Sequence, residues 1–212
     1  QITLKYSKNS GSTWSNIGTI PTSGSGSIGS GDYLWSGSTG TFNWKVPNDA
    51  VSNGFSCVIS ITNTAEAMVG DDSNPAAPFK IRGKVVVTQH NGGAPDWKVG
   101  ENRNIVWNQI GDFNVAIEYS TDDFASDINV IEPNLAGTDG TGKSYAWPIP
   151  LNAKLSPEIA NIKIRIKNPL DSDETNGTAD RSNASFKIRG DLTLTYPNSG
   201  TFYVDDAINV NW

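Results

Sequence analysis

The residues able to do chemistry in this 212-residue chain are few and scattered. His90 is the only histidine and Cys57 the only cysteine. They lie far apart in the pattern, so a Ser-His-Asp or Cys-His triad, or a histidine-based metal site, is not to be assembled within one chain. No catalytic residue is assigned and no enzymatic activity is expected. Acidic residues cluster at Gly70-Asp71-Asp72, at Asp122-Asp123, and in a segment carrying Asp171, Asp173, Glu174 and Asp180. Calcium takes several such oxygens at once, which makes Asp171, Asp173 and Asp180 the metal candidates and calcium the one cofactor to consider. Against it, DSDETNG puts Asn176 where an EF-hand loop needs its glycine, and a solvated acidic loop is the plainer reading. Tyr33 and Trp35 sit in a Gly/Ser-rich stretch, residues 23–40, expected to be a long flexible excursion. Two exposed aromatics there could touch a polysaccharide or a neighbour, although aromatics folding back over their own sheet are the simpler expectation. Asn176-Gly-Thr and Asn183-Ala-Ser fit the N-glycosylation pattern, which arises readily in a chain so rich in asparagine.

SKNSGSTW, residues 7–14, resembles the Asp-box of sialidases and other β-propeller proteins, with Asn9 where the box has aspartate. Its counterpart YSTDDFAS, 119–126, lacks the glycine and the tryptophan, and one copy without blade repeats does not make a propeller. The structural expectation is a turn capped by Asn9 and Gly11 and held by Trp14.

The elements that carry these residues are short apolar bursts separated by Gly, Pro, Ser, Thr and Asn, with no long 3.6-residue periodicity; this predicts an all-β chain. With 16 Lys+Arg against 22 Asp+Glu, a formal charge of −6 argues against a nucleic-acid partner. No apolar run reaches the roughly 18–20 residues of a membrane span, and the opening QITLKYSKNS lacks a signal-peptide pattern. A single cysteine excludes an internal disulfide. Sparse Cys and Lys with abundant Ser, Thr, Asn and Gly point to an extracellular, cell-surface setting.

Internal repetition organises the chain. ITLKYS (2–7) matches VAIEYS (115–120), FNWKVPN (42–48) matches YAWPIPL (145–151), and CVISITN (57–63) matches IKIRIKN (162–168), at offsets of 113, 103 and 105. FKIRG occurs at 79–83 and again at 186–190, followed by VVVT (85–88) and LTLT (192–195) at an offset of 107. WKVGENRNIVW, ending at Trp107, matches FYVDDAINVNW, ending at Trp212, at an offset of 105. Alternation in the matched strands sets Cys57, Ile59 and Ile61, like Ile162, Ile164 and Ile166, on a core face. Cys57 then reads as a small buried hydrophobe, and Trp44, Trp107, Trp147 and Trp212 as core aromatics. His90 falls in a turn opposite Pro197, an unpromising place for a catalytic group.

The order of YPNSG at 196–200, Ile105 with Trp107, Val115, Ile117 and YST at 119–121, YAWPIP at 145–150, IKIRI at 162–166 and SFKI at 185–188 resembles the immunoglobulin-like module of KNH-type proteins. These are yeast cell-wall-synthesis, Ser-Thr-rich GPI-anchored proteins, and the module also occurs in tandem in large prokaryotic surface proteins. The resemblance implies tandem immunoglobulin-like antiparallel β-sandwiches, and its motifs are packing motifs that carry no chemistry. In that frame 84–190 is a complete module, 1–83 lacks its first two strands, and 191–212 is those two strands alone. The sequence is thus cut out of phase. Leu192, Leu194, Val204, Ile208, Val210 and Trp212 become the strand-complementation candidates. Three arrangements would satisfy both ends: a longer covalent array, strand addition to the next chain, or closure within one chain. The function expected is that of an extracellular structural or adhesive repeat protein with itself as partner; the alternative is a glycan-binding module.

Overall fold

The computed structural model describes residues 1–66, 69–73, 77–89, 96–156 and 161–212. His90 lies outside them. The chain is all-β: among the described residues its helical structure is one 3-10 turn, Asn48–Ala50. Residues 1–83 carry β1 (Ile2–Ser7), β2 (Ser15–Ile20), β3 (Ser25–Ile28), β4 (Gly31–Ser36), β5 (Thr39–Trp44), β6 (Val58–Asn63) and β7 (Gly70–Asp72). Residues 84–190 carry β8 (Lys84–Val87), β9 (Trp97–Lys98), β10 (Asn102–Ile110), β11 (Val115–Ser120), β12 (Asn129–Leu135), β13 (Gly140–Pro148), β14 (Lys163–Lys167), β15 (Ala179–Arg181) and β16 (Ile188–Arg189).

In 84–190 two antiparallel sheets, ordered β13-β10-β8 and β12-β11-β14-β15, enclose one buried cluster, and β16 pairs in parallel with β9. Strand alternation builds it: Ile162, Ile164 and Ile166 are wholly buried, while Lys163, Arg165 and Lys167 point the other way. On that outer face the Glu118 carboxylate receives Arg165 at 2.6 Å and Lys167 at 2.7 Å. Burial pushes the Glu118 carboxyl up, but hydrogen bonds and charge from Lys167 and Arg165 outweigh it and hold the group below the usual carboxylate range.

In 1–83 a sheet ordered β2-β1-β6-β7 packs with a sheet ordered β3-β4-β5 around a smaller cluster of Leu4, Tyr6, Ile17, Ile20 and Ala50. The stretch 23–40 is therefore not a flexible excursion. Residues 25–36 form the antiparallel strands β3 and β4, and β4 continues through a tight turn into β5. Composition misled because glycine here makes room for aromatic rings. A Cβ on Gly26 would lie 2.7 Å from the Tyr33 hydroxyl oxygen, and one on Gly40 would lie 2.7 Å from the Trp35 indole.

Matched positions recur in geometry. Tyr6 and Trp44 pack with tilted rings and centroids 4.9 Å apart, and Tyr119 and Trp147 do so at 5.1 Å. Cys57 bridges Phe79 as Ile162 bridges Phe186, and Cys57 is wholly buried. The Ser52 hydroxyl accepts the Ile81 N–H at 3.1 Å, and the Ser156 hydroxyl accepts the Ile188 N–H at 3.1 Å.

The join between the two segments is short and braced. Lys80 and Arg82 both reach Asp171, at 2.6 and 3.0 Å, and the Asp112 N–H reaches Asn48 O at 2.8 Å. A Cβ on Gly83 would meet Phe113 at 2.2 Å, so the chain passes the joint only as glycine.

Candidate functional site

The three metal candidates are each engaged by cations or backbone amides, and Arg82 is shared by Asp171 and Asp173. Asp171 pairs with Lys80 and Arg82; Asp173 pairs with Arg82 and accepts from Asn176; Asp180 accepts the Val87 N–H at 2.8 Å. Among the described residues no group of three or more His, Cys, Asp or Glu converges as a metal site. Tyr33 and Trp35 lie on one face of β4, half-buried, with Tyr33 packed against the smaller core cluster.

The Ser7–Trp14 turn is the same in both copies, which the sequence hides. The Ser7 hydroxyl donates to Asn9 Oδ1 at 2.9 Å and accepts the Gly11 N–H at 2.9 Å, while the Thr13 N–H reaches Asn9 Oδ1 at 2.8 Å. Ser120, Asp122, Phe124 and Ser126 repeat those roles at 2.8, 2.8 and 2.9 Å. Gly11 has φ +87° and Phe124 φ +64°, a left-handed position where Phe is costly and the guanidinium of Arg165 lies 4.1 Å from its ring centroid. The Ser126 hydroxyl first, then Ser120 and the Asp127 and Ser126 N–H groups, hold the Asp122 carboxyl well below the usual range. A lowered folded value contributes stability above the ordinary aspartate value, and that contribution is lost only as pH falls toward the folded value. In an acid titration followed by carboxyl NMR, Asp122 should therefore stay ionised at about pH 3, where ordinary aspartates have protonated. A midpoint near pH ~3.9 would show that the cage does not hold the carboxylate.

The tail, 191–212, closes on itself through one bridge, Tyr196 with Asn211, which repeats the contact that follows the β8–β10 ladder. The Thr195 N–H reaches Asn211 O at 2.8 Å and the Tyr196 N–H the same oxygen at 3.3 Å; the matched Thr88 and Gln89 N–H groups reach Val106 O at 2.9 and 3.4 Å. The side chains fare oppositely. Val85 and Trp107 are 1% and 2% exposed, their tail counterparts Leu192 and Trp212 79% and 76%. Leu194, Val204, Ile208 and Val210 are also exposed. Phe202 belongs to this set, although the strand-complementation candidates omit it. Its match to Trp97 was the available signal, and Trp97 packs on Phe186 at 4.5 Å.

The head, 1–83, is open where its counterpart is covered. Along a strand, the N–H and C=O of successive residues point to opposite sides. In 84–190 the Ile149 N–H reaches Glu101 O at 2.9 Å, which turns Ile149, Trp147 and Tyr145 toward β10. In the head the Lys45 N–H reaches Ser30 O at 2.8 Å, which turns Lys45, Asn43 and Thr41 toward β4. The matched Val46, Trp44 and Phe42 therefore face the other side, where no strand pairs with β5 among the described residues. The β3-β4 hairpin has added to the edge opposite the one β10 occupies on β13, so it does not stand in for the missing strands. The core face is open accordingly: Ile61 is 38% exposed where Ile166 is 0%. This edge was invisible in the sequence, because edge polarity depends on backbone direction and not on residue type.

No family model matches this chain, and neither a curated protein nor a solved structure resembles it significantly.

Proposed function

We propose that this chain is a tandem immunoglobulin-like β-sandwich protein of the cell exterior whose work is structural: it builds rod-like or filamentous arrays by head-to-tail strand complementation. One observation carries the reading. The tail keeps the contact that follows the β8–β10 ladder with its apolar side chains bare, and the head presents an unpaired β5 edge at the matched place. Exposed apolar faces and open strand edges together favour strand addition. A tail-to-head contact joins different patches on the two partners, so it propagates as a chain unless its rotation closes a ring. The braced joint at Lys80, Arg82 and Asp171 supports a stiff connection between neighbouring units. A net charge of −6 keeps such an assembly soluble.

Sedimentation velocity over a concentration series tests the reading. Mass should rise with concentration through a ladder of multiples of the 22.7 kDa chain. A single monomeric species at every concentration would rule the proposal out.

A further inference from the structure

Strand β8 lies at the edge of its sheet, and its outward N–H groups need partners. Since Thr88 donates to Val106 on the inner side, Val87 donates outward, and the acceptor is Asp180 Oδ2 at 2.8 Å. One carboxylate thus ties the first strand of that segment to the opposite sheet and blocks the edge. Asp180 is placed by register: β15 pairs with β14 so that Asp180 faces Ile166. In the head, β7 pairs with β6 so that Asp71 faces Ile61, the residue matched to Ile166. Asp71 therefore occupies the Asp180 position. It is exposed, and its carboxylate makes no hydrogen bond or ion pair among the described residues. The residue matched to Val87 is Leu194, whose N–H also points away from its hairpin partner because Thr195 donates inward. Within one chain no bond joins the two, since among the described residues the tail's strand pairing is with itself.

We infer that Asp71 is the latch of the assembly contact: its carboxylate accepts the Leu194 N–H of a second copy of this chain. The inference rests on the strand-complementation reading above and adds to it the residue that fastens the incoming strand. Leu194 then seats on the open core face beside Ile61, and the strand holding Val210 lies along the free edge of β5. Asp72 takes the register place of Arg181, on the sheet face opposite Asp71, so it serves as the control.

The test compares wild type, Asp71→Ala and Asp72→Ala by sedimentation, with monomer melting recorded at high dilution. Asp71→Ala should weaken association about tenfold or more, the usual scale for a hydrogen bond to a charged group. Asp72→Ala should associate as wild type does, and both should melt as monomers like wild type. In assembled wild type the Leu194 amide should exchange slowly, and in assembled Asp71→Ala quickly. Wild-type association in Asp71→Ala, or equal weakening by Asp72→Ala, overturns the latch and leaves the assembly reading standing. A wild-type chain that never associates overturns both.

Discussion

Trp147→Ala is expected to cost about 3–5 kcal/mol and to leave residues 84–190 without a fixed core. Trp147 is buried at the centre of the larger cluster, with its ring 6.0 Å from Trp97 and 5.1 Å from Tyr119. Removing the indole leaves a hole bounded by two other rings that cannot close on it without giving up their own contacts. A domain stable by about 5–15 kcal/mol loses much of its margin that way. Urea denaturation followed by the remaining tryptophans should show the midpoint falling sharply; a shift worth under about 1 kcal/mol would mean that the indole is not a keystone of this core. Trp44→Ala, at the matched position, should cost less in the dilute monomer, because Trp44 is only half-buried there.

The second large effect separates folding from assembly. Val210 and Trp212 are exposed in the chain, whereas their counterparts Ile105 and Trp107 are buried. Replacing both with serine should leave monomer melting unchanged. If each side chain contributes about 2–3 kcal/mol on burial, association should weaken by roughly a thousandfold or more. Retained association would show that the tail is not the donor. A large fall in monomer melting temperature would show that the tail already packs on its own chain.

The parts of this structure legible in the sequence are those written in side-chain alternation. Ile162, Ile164 and Ile166 announce a core face, the repeated FKIRG marks the joint, and the match of LTLT to VVVT foretells the tail pairing. Backbone geometry was not legible. Nothing in GDYLWS says on which edge of β5 it will lie, because either edge accepts an antiparallel neighbour. The turn at Ser120 escaped because Phe124 takes a backbone conformation that usually signals glycine. The acidic segment was visible as a cluster, yet its partners Lys80 and Arg82 come from about 90 residues earlier in the chain, across the joint. Asp171 and Asp173 pair with those cations, Glu174 with Arg165 and Arg181, and Asp180 with a backbone amide, an arrangement that no spacing rule for calcium could reveal.

The central claim is that the segment 207–212 of one copy pairs along the free edge of β5 in another. Asn104 faces Ala146 in the β10–β13 ladder, and the matched residues are Asn209 and Asn43. Opposed residues whose backbone bonds point away from each other sit with Cα atoms about 4.5 Å apart, close enough for a disulfide. Cys57 is buried and will not compete. Chains carrying only Asn43→Cys are mixed with chains carrying only Asn209→Cys and oxidised gently. The account predicts a mixed dimer in clear excess over either self-linked product, and little product when Asn211→Cys replaces Asn209→Cys. Equal linking by Asn211→Cys, or no mixed dimer at concentrations where mass has grown, would contradict it.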